Sequence, residues 1–432
     1  MVSVELFDPR LMKLLSFLTR KQAWLSPLEI SNEFRLDGAR VSARTIHRWL
    51  SLLREKGGLV YYPYPRANVL GLADVLVTIH GLNDPGILGI VPFTASFNVE
   101  CSLDRGEPFV RQGYWVPINA MGEFREFWRS AREMGILREV EFYSSRNTHF
   151  IFSPFEDMTT QEGSAVWTRP PNNSYFMTLI QKNFREPFEV RLQKPIIDAP
   201  LIIPLVVEHI WEYYSSRQVW QAVGQEHVNE VWRYTKGLRA RDLRRPGAAL
   251  HFLQDQWDQL MQNFEEVFIQ PRVFFDWPSL KNSTFLSVIM HATSSKAMLE
   301  AVSRISERSI VTALKPSIKL DGTCHVSCFL PSDQLAHVAR IIGECHSDNT
   351  PPLIAIQDRA ATLELFQPNF CKLDWGCFDP SSLSWTFDGQ KYLEHAKKLK
   401  LGRGVRRNGT YSSGRYANAS RRHTPSILSS KN

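Results

Sequence analysis

SPLEISNEFRLDGARVSARTIHRWLSLLREKG, residues 26–57, reads as two short helices joined by a tight turn, the second basic and well capped. Ser26 suits the cap of the first helix, Pro27 its first position, and Glu29 stands three residues after the cap. Ile30 and Phe34 give that helix an apolar side, and Asp37-Gly38 breaks it. Ser42 opens the second helix and Gly57-Gly58 closes it. Ile46, Trp49, Leu50 and Leu53 fall at i, i+3, i+4 and i+7, one buried stripe. Arg40, Arg44, Thr45, His47, Arg48 and Ser51 are left on the open side. Apolar behind, with Arg and small polar groups in front, is the chemistry of a DNA recognition helix, so these residues are the expected DNA contacts. An ordinary amphipathic pair in a globular core is the competing reading.

The flanks predict a winged helix-turn-helix over residues 1–70. Leu11, Leu14, Leu15 and Leu18 repeat the helical stripe upstream. Downstream, Leu59 to Tyr62 followed by Pro63 and Pro65 reads as a strand, a turn and a return, with Arg66 reaching for a phosphate. Residues 1–72 hold 11 Lys and Arg against 6 Asp and Glu, a positive face of the kind that gives sequence-independent DNA affinity.

The net charge of +7 belongs to the ends of the chain. Residues 396–432 carry ten Lys and Arg and no acid, so the rest is mildly acidic. That tail is rich in Gly, Ser, Asn and Arg without an apolar period, which predicts a disordered basic arm with Arg406 and Arg407 as phosphate contacts. At 432 residues, with 43% hydrophobic residues and 12 Trp, several domains with real cores are expected. No apolar run reaches membrane-spanning length and no signal-peptide stretch opens the chain, which predicts a cytoplasmic protein without membrane partners.

After the wing, Gly71 to His80 reads as a strand, Gly86 to Phe97 as a short helix broken by Pro92, and Phe109 to Ile118 as a strand. Phe124, Phe127, Trp128 and Ala131 form a helical stripe, and Val140–Tyr143 and His149–Phe152 are further strands. This is a βαββαβ, ferredoxin-like order over 71–175. The second half replays it: a second, degenerate winged helix at 196–276 and a second ferredoxin-like domain at 277–390. TFLSVIMH at 284–291 matches ADVLVTIH at 73–80 in place and character. The helix at 247–264 holds no Lys or Arg, so it is not expected to read DNA. Arg239, Arg241, Arg244 and Arg245 before it are expected to touch phosphates without reading bases. The fold class is therefore α+β.

This layout, LSPLEISNEF…SARTIHRWLSLLREKGGLV followed by VLGLADVLVTI, resembles the Lrp/AsnC (feast/famine) transcription regulators. The resemblance implies a sequence-specific DNA-binding regulator, no enzyme, with the helix at 42–57 reading double-stranded DNA. It also implies self-association through the ferredoxin-like sheets and an amino acid-like small-molecule effector bound there. Gly113-Tyr114-Trp115 is the nearest match to that family's effector segment. Two alternatives stand beside it: a ligand-sensing or protein-interaction scaffold, and an RNA binder, although no RNP-type aromatic motif is present.

Cys324, Cys328, Cys345 and His346 raise zinc, but a strand over 325–330 puts Cys324 and Cys328 on one face, as core packing also would. No metal and no cofactor is expected. No P-loop, dinucleotide fingerprint, HExxH or nucleophile elbow is present, and no catalytic residue is assigned. In the paired sheets, Val75, Val77 and Ile79 with Leu286 and Val288 are expected to form the contact between the halves.

Overall fold

The computed structural model describes residues 8–20, 25–57, 60–65, 67, 71–91, 93–103, 106–145, 158–161, 164–167, 220–221, 254–255, 257–262, 268–274, 283–317, 322–347, 351–358, 362, 377–379 and 384–406. They form a mixed α+β structure. Helices α1 (Pro9–Arg20) and α2 (Pro27–Glu33), strands β1 (Arg35–Leu36) and β2 (Ala39–Arg40), helix α3 (Ala43–Gly57) and strand β3 (Val60–Pro65) come first.

The expected caps are present. Ser26 Oγ accepts from Glu29 N–H at 3.4 Å while Ser26 N–H donates to Glu29 Oε2 at 2.6 Å, a reciprocal box. Ser42 Oγ accepts from Thr45 N–H at 3.1 Å at the start of α3. Ile46, Trp49, Leu50 and Leu53 are buried with Leu11, Leu14, Leu15 and Leu18 of α1. One expectation fails here: α2 and α3 are joined by a small hairpin, β1 with β2, rather than by a tight turn. Asp37 (φ 52°) and Gly38 (φ 85°) supply the left-handed residues that such a two-residue hairpin loop requires.

Two units of similar order follow. The first is β4 (Leu72–His80), a 3-10 turn (Pro85–Gly89), β5 (Thr94–Ser102), β6 (Pro108–Pro117), α4 (Met121–Glu133) and β7 (Glu139–Ser145). Strands β8 (Met158–Gln161), β9 (Ser164–Trp167) and β10 (Phe268–Phe274) lie between. The second is β11 (Ser283–His291), α5 (Ser295–Ser306), β12 (Ile310–Pro316), β13 (Thr323–Pro331), α6 (Leu335–Cys345) and β14 (Leu353–Gln357). Strands β15 (Phe378–Asp379) and β16 (Ser384–Trp385) and helix α7 (Gly389–Arg406) come last.

The two units agree in register. His80 pairs with Phe109 and Leu72 with Pro117; His291 pairs with Thr323 and Ser283 with Pro331. Each strand that ends at Pro117 or Pro331 runs into a short 3-10 turn and then a helix. Each outer ladder carries one irregularity, between Thr94 and Ser96 in β5 and between Val311 and Ala313 in β12.

All eight strands join one antiparallel sheet, in the order β12-β13-β11-β14-β5-β6-β4-β7. A bridge from Ser145 to Ser317 brings β7 to β12, so the sheet curls until its ends meet. Alternation then gives each strand an outer and an inner face. Val75, Val77 and Ile79 belong to the first unit's core beside Phe124, Phe127 and Trp128 of α4. Leu286, Val288 and Met290 pack with Met298, Val302, Ile305 and Val338 of α5 and α6. The contact expected from Val75, Val77, Ile79, Leu286 and Val288 is thus corrected: these side chains face helices, where burial stabilises each by about 1.5–3 kcal/mol. The halves meet through the opposite, polar face.

The first unit has only a 3-10 turn where the second has α5: of the short helix expected within Gly86 to Phe97, Pro85–Gly89 forms that single turn, and Thr94 onward is strand. The C-terminus fills the gap. Helix α7 packs against α4 and the 3-10 turn, and Phe387 stacks with Phe93, Phe124 and Tyr392. The tail expected to be disordered from residue 396 is therefore helical as far as Arg406, with Ala396 buried. The expected wing hairpin is also corrected. Strand β3 pairs instead with β10, Val60 opposite Phe274 and Pro65 opposite Phe268. In the helix read at 247–264, residues 254–255 and 257–262 are helical, with Trp257 and Leu260 buried. The strand read at 149–152 and the helix read at 202–214 lie outside the described residues, and of the helix read at 216–223 residues 220–221 are described and helical.

Candidate site between the two units

Strand β6 is apolar along most of its length, yet Arg111 stands in its middle, 3% exposed. Its register opposite Thr78 turns it to the inner face. From the neighbouring β5, Glu100 (1% exposed) places Oε2 3.0 Å from Arg111 Nη1. From the second unit, Ser287 of β11 and His325 of β13 close the group. Arg111 Nη1 donates to Ser287 Oγ, and Ser287 Oγ lies 2.7 Å from His325 Nε2. His325 Nε2 is itself 3.4 Å from Arg111 Nη1.

A second pair crosses between the two units beside it. Lys315 Nζ of β12 meets Asp74 of β4 at 2.9 and 3.2 Å. Tyr143 of β7 donates its hydroxyl to Lys315 O and accepts from His325 N–H at 3.2 Å. The alternation that gives the outer face to Val and Leu thus gives the inner face to charged groups from both units.

Burial governs the protonation of this cluster. It pushes Glu100 above the usual carboxylate range, opposed by the nearby Arg111 and Ser287. Burial, and then Arg111 and Lys315, push His325 well below its ordinary 6.5, so the ring is neutral. Buried polar atoms are nearly always hydrogen-bonded. Here Arg111 Nε and Nη2 and His325 Nδ1 make no hydrogen bond among the described residues. Neither Glu100 oxygen makes a well-aligned one, its Arg111 contact being an ion pair. A guanidinium with its Nε and Nη2 edge unused offers two parallel N–H donors to a carboxylate.

The residues expected to touch DNA are not part of this cluster. Arg44, His47 and Arg48 are exposed on α3, while Thr45 and Ser51 are half-buried. Arg40 is bound to its own unit, donating from Nε to Ser31 O at 3.2 Å and from Nη2 to Asn32 Oδ1 at 2.5 Å. Arg406 ends α7. Arg66, Arg239, Arg241, Arg244, Arg245 and Arg407 lie outside the described residues. Of the effector segment, Tyr114 points outward onto Phe124 and Trp128. Cys324 and Cys328 belong to the second unit's apolar core, where burial pushes both thiols up to about 12. Among the described residues no group of His, Cys, Asp and Glu has the makings of a metal site, and no helix is long and apolar enough to cross a membrane. Sequence reading missed Glu100, Arg111 and His325, although each is the one acid, base or imidazole inside an otherwise strand-like run.

No family profile and no curated protein matches the sequence. Two solved structures are similar in fold. The crystal structure of the siroheme decarboxylase NirDL has a TM-score of 0.46 and 9% identity, covering 92% of this chain and 100% of that one. The same enzyme in co-complex with an iron-uroporphyrin III analogue has a TM-score of 0.43 and 10% identity, covering 90% and 98%. Both are structures of an enzyme. The expectation of a DNA-binding transcription regulator without enzymatic activity is corrected on that finding.

Proposed function

We propose that the chain is an enzyme that binds a carboxylate-bearing substrate on the inner face of its eight-stranded sheet, where the two units meet, and moves a proton there. The observation that carries this reading is the buried Arg111, whose Nε and Nη2 have no hydrogen-bond partner among the described residues, beside a neutral His325 whose Nδ1 has none. The Arg111 edge matches a carboxylate in shape and charge. His325 stands within reach of a substrate so held and can carry a proton at Nδ1. Exclusion of water strengthens both interactions. Decarboxylation, in which a proton takes the place of carbon dioxide, is the simplest reaction of this class. The small molecule expected between the ferredoxin-like sheets becomes a substrate here rather than an effector.

The same reading treats the chain as a fused duplicate. The shared register, the matching irregularities of β5 and β12 and the paired Pro117 and Pro331 support two ferredoxin-like units. Helices α1–α3 then stand as the winged helix-turn-helix of the feast/famine layout, kept without its DNA function. The domain limits that follow from this are 1–70, 71–175, 196–276 and 277–390.

The test is a panel running from acetate and propionate to siroheme, scored for binding by calorimetry and for carbon dioxide release, with the methyl esters as controls. Acids are expected to bind, esters to bind at least tenfold more weakly, and Arg111→Gln to abolish binding. Esters binding as well as acids would overturn the reading.

A further inference from the structure

Resting on the site just proposed, we infer that Ser287 is its positioning residue: from the second unit it clamps the Nη1 corner of Arg111, so that a carboxylate is taken side-on, by Nε and Nη2. Arg111 is met at Nη1 by groups from three other strands. Nη1 donates to Ser287 Oγ of β11, lies 3.0 Å from Glu100 Oε2 of β5 and stands 3.4 Å from His325 Nε2 of β13. Ser287 Oγ is in turn hydrogen-bonded with His325 Nε2 at 2.7 Å. One hydroxyl thus ties the group that holds the carboxylate to the ring that carries the proton.

A guanidinium is a flat fork of N–H donors, with an end-on pair on Nη1 and Nη2 and a side-on pair on Nε and Nη2. Either pair grips a carboxylate when the group is free to turn. Here the end-on pair is blocked, because Nη1 is committed to Ser287. The side-on pair makes no hydrogen bond among the described residues. Glu100 supplies opposite charge without a well-aligned hydrogen bond, so it neutralises the fork but does not fix its plane. His325 Nε2, at 3.4 Å, is too far for more than a weak contact. The direction of the fork is left to Ser287. Both side chains are cut off from bulk water, Arg111 at 3% and Ser287 at 1% exposure, which strengthens the bond between them. A lysine at 111 has a single nitrogen and cannot serve Ser287 and a substrate with separate edges.

The clamp belongs to one unit alone. Ser287 stands four residues before His291, the last residue of β11, and Leu76 stands four before His80, the last residue of β4. These are one register position in the two units, and a leucine accepts nothing from a guanidinium. The cross-strand neighbours of Ser287 are Ser327 on β13 and Ala355 on β14. That row of three small side chains leaves space for a guanidinium arriving from β6, space that a leucine would fill.

Nitrogen-15 and proton NMR of the guanidinium groups in the full chain reads the clamp without a ligand. The Arg111 signals are assigned by their loss in Arg111→Lys. In a guanidinium free to rotate, the Nη1 and Nη2 hydrogens average together; those of Arg111 are expected to stay separate in the wild type. Ser287→Ala should merge them, and Ser287→Thr, which keeps the hydroxyl, should leave them separate. If Ser287→Ala does not fold, Ser287→Cys, close in size but a weak acceptor, carries the same expectation. In calorimetry, Ser287→Ala should bind propionate at least tenfold more weakly than the wild type and leave the weaker binding of methyl propionate unchanged, a split that general loosening of the fold would not give. Arg111 signals that stay separate without the Ser287 hydroxyl, or equal losses for acid and ester, overturn the clamp. A wild type that binds no acid rejects the substrate reading instead, and the Nη signals still decide the role of Ser287.

Discussion

Arg111 and His325 hold the same register position in the two units and meet 3.4 Å apart, Arg111 opposite Thr78 on β4 and His325 opposite Ile289 on β11. The approximate two-fold relation between the units passes between them. A pair of identical units would set two arginines or two histidines against each other at this point. The fused chain holds one of each, so it has a single site with distinct ends. Glu100 lies on the Arg111 side and Lys315 on the His325 side.

His325→Arg is therefore expected to be the most damaging exchange on the inner face. It brings two guanidiniums together away from water with only Glu100 to neutralise them, a loss of about 3–5 kcal/mol of the kind seen when a buried charge is left uncompensated. Urea denaturation checks this. Arg111→Met should cost a similar amount by orphaning Glu100, and Arg111→Met with Glu100→Leu should recover most of it.

Acid should weaken the protein through His325. The unfolded ring takes up a proton below its ordinary 6.5, while the folded ring, its pKa held well below that, does not. The unfolded state then binds more protons, so stability falls as pH falls from about 6.5. His325→Gln should flatten that limb of the stability curve. Glu100 acts in the opposite sense, because its raised pKa makes the folded state bind more protons above 4.5. Glu100→Gln should remove a loss of stability that grows as pH rises above that value. Denaturation midpoints across pH measure both.

Phe387→Ala removes a ring that is 8% exposed and stacked on Phe93, Phe124 and Tyr392. About 3–5 kcal/mol is expected to be lost, as for other buried aromatic truncations. The first unit should show the loss in hydrogen exchange, since that unit's sheet lies beneath the ring.

Gly322→Ala should cost about 1–3 kcal/mol. Gly322 has φ +79°, and a Cβ there would stand 2.3 Å from Ala292 O, a backbone atom that cannot step aside. Thermal unfolding of the variant against Gly135→Ala, which also has positive φ (70°) but open space around it, separates the clash from the backbone conformation.

The local features were legible in the sequence. Ser26 and Glu29 cap α2, and the Ile46/Trp49/Leu50/Leu53 stripe is buried, because both depend on neighbours three and four residues away. The partner of β3 was not legible: Tyr62 pairs with Arg272, and no local pattern reports so distant a contact. The inner face was hidden for another reason. Alternation showed that Val75, Val77 and Ile79 share a side, but not that helices would cover that side. Arg111 sat unread in FVRQGYWVPI, where a charge inside a strand signals a polar interior only once the facing strand is known. Helix α7 escaped because its apolar residues cover a small patch around Tyr392 and Ala396 rather than a full stripe.

The C-terminal capping of the first unit bears on how the chain is made. Strands β4 to β7 span residues 72–145, yet part of the aromatic cover of their outer face, beside that of α4, comes from Trp385, Phe387 and Tyr392. During synthesis, domains usually fold as they emerge, the N-terminal one first. Here the earlier unit leaves the ribosome before the rings that complete the packing of Phe93 and Phe124, and its core closes fully only once nearly the whole chain has emerged. Its final packing is then a late event tied to the completion of translation, and a release that stops short of residue 385 yields a first half with an open apolar face, a natural client for chaperones.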